Sequence, residues 1–545
     1  MSTAPAPESH RPGPPVGANR RAAHTGAGTA GPWVWAAAAW LPYAVVAVGC
    51  LAGRRVTYLQ GDLALLDVDA LRAGRFQQLL GPYDRFGWYH LGPAYAYLMA
   101  AVGWLAGGHH PLQAEALTAV GLNGAALAGG CVVARRVLGP GAAAGVLGVG
   151  ALFIVSLGND AVFNPWPPVV VVMPLLLLTV LSLAVLSDGG GSLLLGGLLV
   201  ASFCVQTDVG TAPYVAILVA VACLGWGWGH RPGGAHGLPG GTAQRRSVAL
   251  AALGLAALIV LAWTPVIIQQ LTGRKGNLSV VFDFFRSAHA HAGLAAGLRA
   301  AGWAQLAAFG DPPPGGPPVG WTGMVAALVA IVLSCALVLA GWRLGRPIAA
   351  RSGALWLFGS MVAIGAGAEI VGPAYSYLTI WAVAPLGAGV IGLVSLLSGP
   401  SPDRWRSSAL PLLLAAAVSL SVTGDVLSRR AVPSYSSPAV GRAWALVAPA
   451  VANYRAVGVA YANEAQSWNI GTGLVDQLER SHRRVEVLSF WSNQVTSDAT
   501  GRVAVWVNVL APGAPLSGHE RYLGTVGGRR LFVAGAPLVP ADASY

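Results

Sequence analysis

Two short segments of the 545-residue chain hold the residue types that group transfer needs. The first reads Gly61-Asp62-Leu63-Ala64-Leu65-Leu66-Asp67-Val68-Asp69-Ala70-Leu71-Arg72. The second is Gly81-Pro82-Tyr83-Asp84-Arg85-Phe86-Gly87-Trp88-Tyr89-His90-Leu91-Gly92-Pro93. A carboxylate can take the proton of an attacking hydroxyl, while cationic or N–H donors stabilise charge developing on a departing phosphate. Asp62 is the candidate base, and Arg85 and His90 are the candidate phosphate partners. Arg274 and Lys275, in Gln269-Gln270-Leu271-Thr272-Gly273-Arg274-Lys275-Gly276-Asn277, form a second candidate phosphate cluster, and Lys275 is the only lysine in the chain. Arg offers a planar fork that matches phosphate oxygens. Each of these residues also has a structural alternative. Asp62 could be the N-cap of the stretch that follows it, and Asp69 pairs at i,i+3 with Arg72. Arg85 could pair with Asp84 or stack on Phe86 or Trp88, and Arg274 and Lys275 could snorkel at an interface.

The elements that must position these residues are set by composition. The chain is 55% hydrophobic and 10% charged, against roughly 25% charged in an average soluble domain. That excludes a water-soluble globule and implies a polytopic membrane protein. The formal net charge of +12 comes from Arg residues scattered between apolar runs, so no nucleic-acid partner is expected. The five Cys residues all fall within apolar runs and suggest neither disulfides nor a metal site. Residues 1–31 read as a disordered tail. Eleven apolar runs follow: Trp33–Ala52, Leu112–Ala134, Ala142–Leu157, Pro167–Leu186, Leu193–Val205, Ala212–Trp226, Val248–Ile268, Met324–Ala340, Ala354–Ile370, Tyr377–Leu397 and Ala409–Val422.

A twelfth run, Leu91–Gly107, decides the topology. If it crosses, Arg135/Arg136, the Arg231–Arg246 loop, Arg343/Arg346/Arg351 and Arg404/Arg406 all fall outside, against the positive-inside bias. If it lies in the interface, those Arg residues join the N-terminal tail on the cytoplasmic side. The second arrangement is expected, and it also sorts the acids. Of the acids in residues 1–428, Glu8, Asp188 and Asp403 are then cytoplasmic, and all the others, from Asp62 to Asp425, gather at the outer face. Ionisable residues at the ends of spans are costly and tend to mark a site.

The long outer loops are 53–111 and 269–320. In the first, Leu65, Val68, Phe76, Leu79 and Leu80 share half of a helical wheel, which predicts a loosely amphipathic helix lying at the interface. Residues 429–545 form a separate small domain with a helical Ala439–Val451 stretch, a helix-like Gly471–Arg480 and strand-like Val485–Phe490 and Val503–Val509. The expected fold class is therefore an all-α polytopic membrane domain, residues 32–428, of about eleven transmembrane helices with interfacial juxtamembrane helices, followed by a small extracytoplasmic α/β domain.

The order of a first span, an outer-loop acid, a juxtamembrane helix, an aromatic and charged turn and a second interfacial helix resembles the GT-C glycosyltransferases. These multi-spanning enzymes take a sugar from a polyprenyl-phosphate carrier, as protein O-mannosyltransferases and lipid A aminoarabinose transferases do. The resemblance is best over residues 33–210, weaker to 428, and architectural beyond. It is nearest to an actinobacterial branch with a Gly-Asp-x-Ala start and a Gly-Pro-Tyr-x-Arg-Phe-Gly-Trp-x-His turn. Two departures stand out: Leu63 follows Asp62 where many relatives have a second acid, and His90-Leu91-Gly92-Pro93 replaces a Lys-Pro-Pro turn.

The resemblance implies a transferase at the outer face of the plasma membrane, with polyprenyl-phosphate sugar as donor and an envelope glycan, lipid or protein as acceptor. Asp84, Trp88, Tyr89, Asn164, Trp166, Gln206, Asp208, Glu369 and Tyr375 are then candidate acceptor- or sugar-binding residues. Trp and Tyr stack on sugars, though they also populate membrane interfaces. No cofactor is predicted. His289 and His291, or His109-His110, lack a metal-binding frame, and there is no P-loop, serine elbow or dinucleotide fingerprint. A transporter or flippase of an envelope lipid or glycan precursor is the alternative, although no repeat symmetry supports it.

Overall fold

The computed structural model describes residues 31–52, 58–106, 111–158, 160–188, 190–229, 242–273, 275–309, 318–398, 409–428, 437–462, 464–488, 503–514, 516 and 518–538. The tail before residue 31, His109-His110, Arg231, Arg274, Asp403, Arg404 and Arg406 lie outside them.

Among the described residues, nine helices are long and apolar enough to cross a bilayer. They are Pro32–Leu51, Ala114–Leu138, Pro140–Leu157, Pro167–Ser187, Val209–Trp228, Ala252–Thr272, Thr322–Arg343, Pro347–Ala368 and Ser376–Leu397. The shorter apolar helix Gly191–Thr207 and the helix Ala409–Ser428 occupy the other two runs expected to span. The chain is a multi-pass membrane protein. Pro167–Ser187 forms the bundle's centre with 89% of its apolar window buried, whereas only 6% of Ala252–Thr272 is buried, leaving that helix to lipid. The segment 269–320, expected to be the second long outer loop, contains the helices Asn277–Arg286 and Leu294–Ala307 among its described residues. Leu294–Ala307 is packed into the bundle, where Gly302 lets it approach the backbone of Gly323.

Three helices frame the site. α1 (Pro32–Ala52) leads through residues 53–57 to α2 (Gly61–Gly74), and α3 (Ala94–Leu105) follows the aromatic turn. α3 has 12 residues. At 1.5 Å per residue it covers about 18 Å, short of the roughly 30 Å hydrocarbon layer. α2 differs from the loosely amphipathic interfacial helix expected from the sequence. It ends at Gly74, and Phe76 sits at φ 58° and is 73% exposed. Phe76, Leu79 and Leu80 are therefore not on its wheel. Nine of its 14 residues are buried. Leu66, Ala70 and Ala73 join the core of the membrane bundle, and Leu65 and Val68 join the core of the C-terminal domain.

That domain carries a five-stranded sheet in the order β2-β1-β3-β5-β4, from β1 (Ala456–Tyr461), β2 (Arg484–Leu488), β3 (Trp506–Leu510), β4 (Arg521–Val526) and β5 (Arg529–Ala534). β1 runs parallel to β2 and β3, and the β3/β5 and β4/β5 pairs are antiparallel. β1 and β3 are buried almost throughout, which suits their mostly apolar residues, Asn508 at the centre of β3 being the polar exception. Gly527 and Gly528, at φ 55° and 75°, make the tight β4–β5 turn, for which two consecutive positive φ values favour glycine. The helix Ala465–Arg480 crosses from β1 to β2 and lies against α2.

Polar ties fix this docking. Arg72, 3% exposed, donates to Glu479 at 2.6 Å, Arg75 donates to the other Glu479 oxygen at 3.1 Å, and Arg480 bridges Asp67 and Asp476. Removing one partner of a buried pair leaves an uncompensated charge, which costs about 3–5 kcal/mol. Glu479→Ala is therefore expected to lower the thermal midpoint of the detergent-solubilised protein and to make the C-terminal domain the first part cleaved in limited proteolysis.

Candidate functional site

A cavity of about 450 Å³ opens where α2, the aromatic turn and the ends of several spans meet. Its wall includes Asp62, Asp84, Arg85, Trp88, His90, Trp166, Asp208 and Glu369 from the sequence-derived candidates. Asp69, Tyr83, Phe284, Phe285, Tyr377, Thr379 and Trp381 complete it among others.

Asp62 lies in the first turn of α2, one residue past Gly61, which leads the helix in a left-handed conformation (φ 59°). Gln60 is the N-cap and contributes no side-chain cap bond, so Asp62 does not cap this helix. Its carboxylate instead accepts a hydrogen bond from the Tyr83 hydroxyl, with the Trp166 indole close enough to favour the ionised form. Burial raises its pKa, and the two donors oppose that rise. Asp69 lies two turns along on the same face, at i+7. Burial pushes it up to about 8, against the nearby Arg72 and the Gln78 amide, which donates to it at 3.0 Å.

The segment 81–90 is a tight hairpin. Tyr83 and Tyr89 form an antiparallel bridge, Asp84 N–H donates to the Trp88 carbonyl at 2.8 Å, His90 N–H donates to Pro82 at 2.8 Å, and Gly87 turns at φ 85°. The Asp84 carboxylate closes the turn by accepting from Phe86 N–H at 2.9 Å, and burial raises its pKa. Arg85 reaches across the cavity mouth, where its Nη2 donates to the Val371 carbonyl at 2.9 Å. Its guanidinium sits 4.8 Å from the Phe86 ring centroid and 5.3 Å from that of Tyr375. Tyr375 stacks on Tyr377 at 5.8 Å.

His90 accepts from Val209 N–H through Nδ1 at 3.0 Å, which leaves the ring proton of the neutral form on Nε2. Burial lowers its pKa to about 4, which favours the neutral ring at neutral pH, with an N–H to offer but no positive charge. Asp208, with its carboxylate 3.9 Å from His90 Nδ1, accepts from Gly210 N–H at 2.8 Å and is raised to about 6 by burial.

The remaining candidates take other places. Tyr89 is held by Asn277 through two backbone bonds of 2.9 and 2.8 Å. Asn164 accepts from Trp166 N–H at 2.9 Å and so shapes the turn that presents the indole. Gln206 is fully buried, and its backbone carbonyl accepts from Gly92 N–H. Lys275 does not join the phosphate partners in the cavity wall. It makes a 2.9 Å surface pair with Asp283, both side chains more than half exposed. Glu369 lies at the rim with its carboxylate 3.3 Å from His291. Among the described residues no three His, Cys, Asp or Glu side chains converge as metal ligands.

Phe284, Phe285, Thr379 and Trp381 of the wall carried no warning in the sequence. Tyr83 was visible in the turn but not as the partner of Asp62, 21 residues away. Asp69 did carry a usable signal, its i+7 spacing from Asp62.

No family model and no curated protein matches the sequence. Among solved structures the chain is similar to ArnT from Cupriavidus metallidurans bound to undecaprenyl phosphate, at 15% identity over 92% of this chain and 97% of that one, with a TM-score of 0.36. It is also similar to the archaeal oligosaccharyltransferase AglB from Archaeoglobus fulgidus in complex with an inhibitory peptide and a dolichol-phosphate. There the identity is 14% over 87% of this chain and 69% of that one, with a TM-score of 0.40.

The hairpin is expected to depend on its clamp. Asn277→Ala removes both bonds to the Tyr89 backbone, and hydrogen–deuterium exchange should report faster exchange of the Tyr89 amide, with little change in the strands of the C-terminal sheet.

Proposed function

We propose that the protein is a membrane glycosyltransferase that moves a sugar from a polyprenyl-phosphate donor to a cell-envelope acceptor at the outer face of the plasma membrane. One observation carries this reading: Asp62 is the wall carboxylate held only by neutral side-chain donors. Asp84 and Asp208 each close a turn on a backbone N–H, Asp69 lies in the field of Arg72, and Glu369 sits beside His291. Asp62 accepts from Tyr83, lies near the Trp166 indole and faces the cavity, where a hydroxyl could reach it.

In the proposed step the acceptor hydroxyl gives its proton to Asp62 as its oxygen forms a bond to the anomeric carbon. The bond from that carbon to the phosphate oxygen breaks, and the lipid phosphate leaves with the electron pair. Arg85 supplies positive charge at the mouth, and His90 supplies a neutral N–H deeper in the wall. Tyr83 favours the ionised form of the base by donating to it. A cytoplasmic N-terminus and an extracytoplasmic C-terminal domain belong to the same reading, in which the acids face the side where the acceptor arrives.

Asp62→Asn is expected to lower transfer from a polyprenyl-phosphate sugar by about 10²–10⁴-fold with membrane insertion intact. Unchanged transfer would remove Asp62 as the base. The pH profile gives a second measurement. A base acts when ionised, so with its pKa raised by burial the rate should fall at a pH above the ordinary carboxylate range of about 4. Tyr83→Phe removes an interaction that lowers this pKa, and the acid limb of kcat should then move to higher pH. For orientation, a reporter fused after Arg136 should report the cytoplasm and one after Arg430 the outside.

A further inference from the structure

α2 bears the proposed base one residue after a helix start that lacks a cap of its own. The first N–H groups of a helix have no partner within it and are normally met by an N-cap side chain. Here the Gln60 side chain makes no such bond. The Gly61 N–H is instead met from the C-terminal domain, by Thr472 Oγ1 at 2.9 Å, across 411 residues of sequence. Thr472 is fully buried, and its hydroxyl is used on both sides. It donates to the Trp468 carbonyl one turn back at 2.8 Å, which leaves a lone pair for Gly61. The approach is close enough to need glycine: a Cβ on Gly61 would lie 2.8 Å from the Trp468 ring, and the residue already sits at φ 59°. Tyr83, which holds the Asp62 carboxylate, also packs against the core of this domain.

We propose that Thr472 is a positioning residue for Asp62, so that the C-terminal domain caps the helix of the base and completes the site rather than acting as a separate binding module. The inference rests on Asp62 being the base. Its mechanical part, that the cap orders the first turn of α2, can be read without any assay of transfer.

The test uses the full-length protein with Thr472→Val, which keeps the shape of the side chain and removes the hydroxyl, and Thr472→Ser, which restores it. In hydrogen–deuterium exchange, Thr472→Val should speed exchange of the first turn of α2 by about tenfold or more, as expected when a buried donor loses its acceptor. Thr472→Ser should restore protection. In transfer assays Thr472→Val should lower kcat by about ten- to a hundredfold with KM little changed, because a base displaced by about an ångström loses alignment while the rest of the cavity stays intact. Thr472→Ser should recover most of that loss.

Normal exchange at Gly61 in Thr472→Val would overturn the cap. Faster exchange with unchanged kcat would overturn its role in positioning. A wild-type protein that transfers no sugar, yet shows the exchange changes, would instead count against the transferase reading and leave the interdomain cap standing. Should Thr472→Val fail to fold, exchange in Thr472→Ser against Thr472→Ala decides the same point: equal protection in those two variants would overturn the cap.

Discussion

The site depends on one fourteen-residue helix, nine of whose residues are buried and whose remaining face lines the cavity with Asp62 and Asp69. A helix of this length is marginal in isolation, and α2 also lacks an N-cap side chain. Its order must come from packing on both sides. Leu66, Ala70 and Ala73 face the transmembrane core, and Leu65 and Val68 face the C-terminal domain. Apolar burial is not directional, so it would allow α2 to roll between the two bodies. The ion pairs remove that freedom. Arg72 and Arg75 converge on Glu479, and Arg480 meets Asp67 one turn earlier on the same helix. Buried pairs add little net stability, and their better-attested use is to specify register. Here they fix the rotation of α2 and with it the direction in which Asp62 points.

Burial sets the charge of the cavity wall. It raises the pKa of Asp208 and lowers that of His90, so both members of the pair are pushed toward their uncharged forms. The interaction between them is therefore weaker than the 3.9 Å separation of formal charges suggests. Positive charge in the wall is concentrated at Arg85, which is anchored by the Val371 carbonyl. A substrate with one anionic group thus meets a cation at the mouth and hydrogen-bonding groups further in, a gradient that favours a single orientation.

The large-scale organisation was legible because it depends on local apolar content. Long runs marked the spans, and the pattern changed after Val422, whereas the shortness of α3 was not visible: the apolar run Leu91–Gly107 is longer than the 12-residue helix it forms, and only the Arg distribution argued against its crossing. Three of the five strands were not. β1, Ala456-Val457-Gly458-Val459-Ala460-Tyr461, is buried almost throughout and includes a glycine, while β4 (Arg521–Val526) and β5 (Arg529–Ala534) carry arginines and a glycine that break up their apolar pattern. Asp62, Arg85 and His90 could be picked out because they cluster in two short segments. What could not be read was which of them would be spoken for: Arg85 goes to a carbonyl 286 residues away, and Gly61 to a hydroxyl 411 residues away. The helical wheel failed for a local reason, since the chain leaves the helix after Gly74 and takes a positive φ at Phe76.

The aromatic residues of the hairpin look like sugar platforms in the sequence, yet their contacts point first to another role. Phe86 lies 4.9 Å from Phe284, and Trp88 packs on both Phe284 and Phe285, so the hairpin is sealed against the helix Asn277–Arg286. On the opposite side, Tyr375 and Tyr377 extend the same wall beneath Arg85 and against Trp166. These rings narrow the approach to the carboxylates behind them, although Phe86 and Phe285 are themselves exposed, and in a partly desolvated wall each hydrogen bond and each charge counts for more. The raised pKa of Asp62 and the lowered pKa of His90 both follow from the burial of the two groups. The aromatic side chains therefore shape the chemistry of the cavity through the medium they create, whichever of them also touches a substrate.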